Sequence, residues 1–176
     1  PEPNGDIKAL RAFLNIAKDE DWILILGWLV SSFRPTGPYL IKTFIGEQGC
    51  AKSTQSKLLR SLIDPYKAPL RVMPGTERDL FISASKSWLQ VFDNLSGISH
   101  NMADALCRLS TGGGLSTRKL HTDDEEIIFE VMRPMILNGI TEASSRPDLI
   151  DRSILIELPV IQKANRKRER ELWDNF

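Results

Sequence analysis

Cysteine is scarce: only Cys50 and Cys107 occur in 176 residues, and neither has a partner at C-x-x-C spacing. That excludes the common zinc and dithiol motifs and predicts a reduced, cytoplasmic protein. An excess of either charge sign is also lacking. Twenty-three basic residues face 23 acidic ones, for a formal net charge of zero. No global field steers the chain toward nucleic acid, so any DNA contact has to be local. Long apolar runs are missing as well. The most apolar stretch, 22–33, is about a dozen residues, too short to span a bilayer and better read as a buried helix. The first twenty residues are polar with both charge signs, unlike a signal peptide. There is no internal repeat and no low-complexity tract. The chain opens on Pro1 rather than Met and stops inside a charged helical pattern, which predicts a fragment of a longer protein.

What is present is ordinary for a globular domain: 41% hydrophobic and 26% charged residues, enough for one α/β domain with a sizeable core. Ile7, Leu10, Phe13, Leu14 and Ala17 recur at helical spacing, giving a lead-in over residues 1–19. The acidic trio Asp19, Glu20 and Asp21 suits the first turn of a second helix, which runs to about Phe33 and is broken by the segment 34–38. Strands are expected at 39–45, 70–73, 88–93, 135–138 and 153–158, alternating with helices. Short continuous apolar runs of this kind fit a five-stranded parallel sheet covered on both faces. A β-hairpin is expected from runs at 115–121 and 126–132. The charged segment 163–175 is helical in pattern and reads as the start of a lid or as a solvated linker. Most of such a lid would then lie beyond Phe176, and any lid-borne arginine with it.

The chemistry concentrates after the first strand. Gly46-Glu47-Gln48-Gly49-Cys50-Ala51-Lys52-Ser53-Thr54 joins an apolar strand to a helical pattern. This is the sequence form of a phosphate-binding loop, in which backbone N–H groups and a helix N-terminus surround an anion. Small residues are needed where the chain wraps the phosphate. Lys52 is placed to reach the β- and γ-phosphates, and the Ser53 hydroxyl to hold Mg²⁺. Ala51 stands where a second glycine is usual. Alanine fits there if its φ is negative, with Gly49 supplying the flexibility.

Further candidates fall at strand ends, where an open α/β sheet places its ligands. Asp93 follows an apolar strand and would bind Mg²⁺ directly or at one remove. Asn94 follows it; asparagine orients water but is a poor base, so hydrolysis is slow or another carboxylate helps, Glu47 or one from a neighbouring subunit. Asn138 ends the next strand, where its amide would hold the attacking water or touch the γ-phosphate. Arg146 and Arg152 flank the loop before the last strand, with Asp148 and Asp151 as ready partners. In the functional reading, an arginine there is donated to the next subunit's nucleotide.

The series Gly46…Ala51-Lys52-Ser53, Val91-Phe92-Asp93-Asn94, Ile136-Leu137-Asn138 and Leu149-Ile150-Asp151-Arg152-Ser153 resembles the Walker A, Walker B, sensor 1 and arginine-finger series of an AAA+ ATPase. The hairpin before the third motif is similar to that of superfamily 3 viral helicases, minichromosome-maintenance helicases and the ATPases of mobile-element replication proteins. The resemblance covers about residues 20–160 and implies a P-loop NTPase sandwich of three layers. The lead-in precedes that core, and residues 161–176 begin the lid. It also implies a homo-oligomeric ring, a hexamer, with ATP and Mg²⁺ at subunit interfaces and Arg152 acting in trans. The hairpin would then point toward DNA, with Arg118, Lys119 and His121 as phosphate contacts; the acids at 123–126 oppose this. The readings that follow are a DNA helicase motor core and, from Asn94, a nucleotide-gated assembly module with negligible hydrolysis. A small-molecule kinase would want an acceptor site and a basic lid, and neither is evident.

Overall fold

The apolar runs of the sequence assemble into a parallel sheet whose carboxyl ends share one rim. A computed structural model describes residues 6–118, 126–139 and 146–176. A 3₁₀ turn (Ile7–Phe13) and α1 (Asp19–Ser31) lead to β1 (Ile41–Ile45), and α2 (Lys52–Ile63) follows. Next come α3 (Glu77–Lys86), β2 (Gln90–Leu95) and α4 (His100–Thr111). A hairpin of β3 (Leu115–Arg118) and β4 (Glu126–Phe129) precedes β5 (Met135–Gly139), α5 (Pro147–Ile150) and β6 (Ser153–Glu157). A second 3₁₀ turn (Lys163–Asn165) and α6 (Glu169–Asn175) end the chain.

The sheet order is β2-β5-β1-β6, and every pairing is parallel. Side-chain alternation divides the core. Ile41, Phe92, Met135 and Leu137 face α3, α4 and α5. Phe44, Val91, Ile136 and Ile156 face the lead-in, α1 and α2. Helices therefore cover both faces. The pairing of Phe44 with Asn138 sets the last residues of β1 and β5 side by side.

Among the described residues the sheet has four strands, not the expected five. The run at 70–73 is reduced to one bridge, Arg71 to Phe92. The Arg71 N–H donates to the Val91 carbonyl (3.0 Å), and its own carbonyl accepts from the Asp93 N–H (2.9 Å). Pro69 and Pro74 flank the run, and each lacks the N–H that a longer ladder would use. The helical lead-in is a 3₁₀ helix at Ile7–Phe13. It makes a 3₁₀ turn capped by the Asp6 carboxylate, which accepts from the Lys8 N–H, and then extends. The loop expected at 146–152 contains the single helical turn of α5, started by Pro147 at its first position.

β3 and β4 pair antiparallel, Leu115 with Phe129 and Arg118 with Glu126. The hairpin is thus present, and its second strand ends at Phe129, before the expected 132. Residues 119–125 lie outside the described residues, and with them Lys119 and His121. Arg118 is the last residue of β3. Among the described residues no helix is long and apolar enough to cross a membrane.

Lys42 and Thr43 break the apolar logic of β1. Lys42 is fully buried, and its Nζ has no hydrogen-bond partner among the described residues. It lies against the rings of Phe44 (4.7 Å to the centroid) and Trp28 (5.8 Å). Burial pushes its pKa down to about 7, with Asp21 opposing the shift. The rings return part of the lost hydration by cation–π attraction.

Candidate functional site

The turn between β1 and α2 is made by backbone conformations few residues tolerate. Gly46 has φ +143° and Gly49 φ +89°. A Cβ on Gly46 would come within 2.8 Å of the Leu158 carbonyl oxygen and 2.9 Å of Cys50 Sγ, so only glycine fits. Cys50 is a buried small residue under the loop. Ala51 overturns the expectation of negative φ. It caps α2 in the left-handed region, at φ +67° and ψ +29°. Its Cβ crowds the backbone there, at a cost of roughly 1–2 kcal/mol. Ala51→Gly is therefore expected to stabilise the fold by about 1 kcal/mol, raising the melting temperature by roughly 2–4 °C. Urea titration of the two proteins checks this; a lower midpoint for Ala51→Gly would contradict it.

Lys52 opens α2 and bends its ammonium over the loop. It donates to the carbonyls of Gly46 (2.5 Å) and Glu47 (3.0 Å) and lies 3.5 Å from Cys50 Sγ. The next residue reaches the neighbouring strands. Ser53 Oγ donates to Asp93 Oδ2 (2.8 Å), Asn138 Nδ2 donates to Asp93 Oδ1 (2.9 Å), and Ser56 Oγ donates to Asn138 Oδ1 (2.8 Å). Four side chains from α2, β2 and β5 thus form one chain of hydrogen bonds beside the loop. Asn138 is buried, with both ends of its amide used on Asp93 and Ser56. Its placement holds the Asp93 carboxylate in one orientation.

Asp93 and Asn94 lie inside β2 rather than after it, at a register shift between Phe92 and Leu95. The bulge re-aims Asp93 toward Ser53. Asn94 has φ +59°, a conformation that asparagine adopts more readily than longer side chains do. That gives the departure at Asn94 a backbone reason.

The arginines are elsewhere. Arg152 precedes β6 and lies level with the start of β1, because Ser153 pairs with Ile41. The loop follows the other end of β1. The two are separated by the length of the strand, roughly 17 Å. Arg152 Nη1 donates to the Asp148 carbonyl (2.8 Å), while Arg146 pairs with the carboxylate of Asp104 (2.9 Å) and with His100. The side chains of Asp148 and Asp151, expected as partners, are not used in these contacts. Glu47 and Gln48 are exposed at the loop's outer edge.

Two cavities meet at Gly49, Ala51 and Thr54. One, of about 620 Å³, is lined by the loop, Asp93, Asn94 and Asn138. The other, of about 690 Å³, runs between the lead-in and the segment after β6. Asn15 ties this region together: its Nδ2 donates to the carbonyls of Cys50 (3.0 Å) and Pro159 (2.6 Å). Gln55 lines the second cavity, with Oε1 buried and unpartnered among the described residues. The residues suit a polyphosphate with a hard cation: a cradle that excludes Cβ atoms, a lysine, and a hydroxyl beside a carboxylate. Among the described residues no cluster of three or more His, Cys, Asp or Glu could hold a metal alone, so such a cation would also rely on phosphate oxygens. Sequence reading missed Asn15, Gln55 and Ser56. Only Ser56 leaves a signal, one helical turn after Ser53 on the same face.

A family model for the replication protein of actinomycete integrative conjugative elements matches residues 7–176. The chain belongs to this family. No curated protein matches it. Among solved structures it is similar to the C-terminal region of NrS-1, with a TM-score of 0.60 at 17% identity, over 96% of this chain and 42% of that one. A second structure of that region, spanning 305–718, gives 0.59 at 15% over 96% and 41%. JCV helicase in complex with a small molecule gives 0.57 at 16% over 84% and 43%. The replication protein thus spans about two fifths of the length of these structures. At such identities the likeness is one of fold: an α/β arrangement around a parallel sheet, similar to that of a helicase.

Proposed function

We propose that this chain is the ATP-hydrolysing motor core of a ring-forming DNA helicase that replicates a mobile element. The observation that carries the proposal is the hydrogen-bonded chain Ser53–Asp93–Asn138–Ser56 beside the loop that bears Lys52. In this reading Lys52 leaves the loop carbonyls for the β- and γ-phosphates, and the N–H groups of residues 47–54 surround them. Ser53 and Asp93 would hold Mg²⁺, which neutralises charge on the transferring phosphoryl group. Asn138 fixes Asp93 and, with Asn94, borders the position of the attacking water. The base would occupy the larger cavity, where Gln55 Oε1 offers an acceptor. Arg152 completes the site of a neighbouring subunit, which makes the assembly a ring, a hexamer by resemblance. Family membership supports DNA as the track, with Arg118, Lys119 and His121 as its phosphate contacts.

The test is phosphate release per chain as a function of protein concentration, with and without single-stranded DNA. Turnover is expected to rise with concentration as subunits assemble, and to rise again with DNA. A rate independent of both would sink the ring motor.

A second reading is favoured by one observation: Asp93 is the only carboxylate among the described residues lining the phosphate-end cavity. A nucleotide-gated assembly module with negligible hydrolysis would need no general base. Mass measurement with and without ATP separates the two. ATP-dependent assembly with no phosphate release favours the module.

A further inference from the structure

The segment after β6 returns to the phosphate loop and brings an arginine with it. The Ile161 N–H donates to the Gly49 carbonyl (3.3 Å), which pins the returning strap to the loop's backbone. Further along, Lys57 of α2 pairs with Glu169 of α6 (2.8 Å), and the Phe176 ring meets Phe13 edge-on at 5.2 Å. Between these anchors, the Arg166 guanidinium lies directly over Gly49. A Cβ built on Gly49 would stand 2.5 Å from Arg166 Nη2 and 3.3 Å from its Cζ. Gly49 thus has two reasons to be glycine, its positive φ and the arginine above it. Arg166 Nε donates to the Ile161 carbonyl (3.2 Å), and the guanidinium makes no ion pair among the described residues. Arg166 lines the larger cavity, which meets the cavity on the Lys52 side at Gly49, Ala51 and Thr54.

A planar cation at one flank of the loop and an ammonium at the other make a pair of positive charges with the loop N–H groups between them. The group that fits such a cleft is a polyphosphate, and a guanidinium can bind two of its oxygens at once. We propose that Arg166 is a phosphate ligand for the bound nucleotide, acting from the same chain, at the end of the polyphosphate away from Lys52. This rests on the nucleotide reading above.

Calorimetric titration of the full chain with Mg·ATP and with inorganic tripolyphosphate tests the assignment, using wild type, Arg166→Ala, Arg166→Lys and Lys52→Ala. Arg166→Ala is expected to weaken both ligands by about tenfold or more, the scale of a lost charge-assisted hydrogen bond. Arg166→Lys is expected to recover part of that loss. The melting temperature without ligand should not change, because the side chain is exposed. Affinities within about twofold of wild type, or a loss confined to ATP with tripolyphosphate unaffected, would overturn the assignment while leaving the nucleotide reading intact. Failure of the wild type to bind either ligand more tightly than Lys52→Ala would overturn both.

Discussion

Two inactive variants are expected to restore each other. Arg152→Ala should lower ATP turnover by about 10³-fold or more, the scale of an arginine supplied to a phosphoryl-transfer site. In the ring reading, Lys52→Ala should be equally inactive, since it removes the cation proposed to face the β- and γ-phosphates. The argument for restoration is spatial. Ser153 pairs with Ile41 at the start of β1, while the loop begins after Ile45 at its end. An arginine at residue 152 cannot span that strand to the loop of its own chain. If Arg152 has a catalytic partner, that partner belongs to another copy. An equimolar mixture then contains interfaces at which an intact Lys52 site meets an intact Arg152. Random assembly gives about a quarter of such interfaces, and a comparable fraction of wild-type turnover. Full activity of Arg152→Ala, or a mixture as inactive as its components, would sink the trans arrangement. Arg146 is a control, because it is already paired with Asp104 and His100 on α4.

The second large effect concerns stability. Lys42 sits uncharged in the fold at high pH and must carry its proton into the core at low pH. Its pKa is about 7 in the folded chain, against about 10.4 when unfolded. Between those values the unfolded chain binds the extra proton, so stability rises with pH across that window and levels off above it. Below pH 7 both states are protonated, and the folded state bears the whole penalty, on the order of 4 kcal/mol. Lys42→Met keeps the length of the side chain and removes the charge. At pH 6 it is expected to be more stable than wild type by about 2–4 kcal/mol, and the gap should close as pH approaches 10. Taking the difference between the two proteins cancels the titration of groups other than Lys42. A gap independent of pH, or a less stable Lys42→Met, would contradict the buried-ammonium account. The penalty lies in the core rather than at the loop, since Lys42 lies against Trp28 and Phe44.

The contrast between the loop and Lys42 separates what the sequence reveals from what it hides. The turn from β1 into α2 at Gly46 and Gly49 was legible because a loop motif is local, and its strand–turn–helix order follows from spacing along the chain. Asn138 was legible near a strand end, whereas Asp93 lies inside β2, and their mutual hydrogen bond depends on β2 and β5 being neighbours, which no local pattern states. The helical spacing of the lead-in corresponds to a 3₁₀ helix of seven residues, since spacing alone does not separate 3₁₀ from α. The fifth strand failed because apolar β-formers at 70–73 outweighed the two prolines around them. Ala51 was misjudged because steric preference was given priority over the geometry of the loop. Lys42 was invisible, since one lysine in an apolar run looks like an exposed position until the layers on both sides are known. Asn15 and Arg166 lie far along the chain from the loop they touch, and only the folded path brings them to it.

The single bridge at Arg71 has a consequence for the outer margins of the sheet. On that side the ladder stops after one residue, and Pro69 and Pro74 leave no row of free donors to extend it. On the opposite side β6 presents the outer edge of five residues, with Leu155 and Glu157 exposed. Such an edge is a template for strand addition, restrained here by the charge of Glu157. Backbone pairing with another chain would therefore have to run along Ser153–Glu157, on the side of the sheet away from the Arg71 bridge.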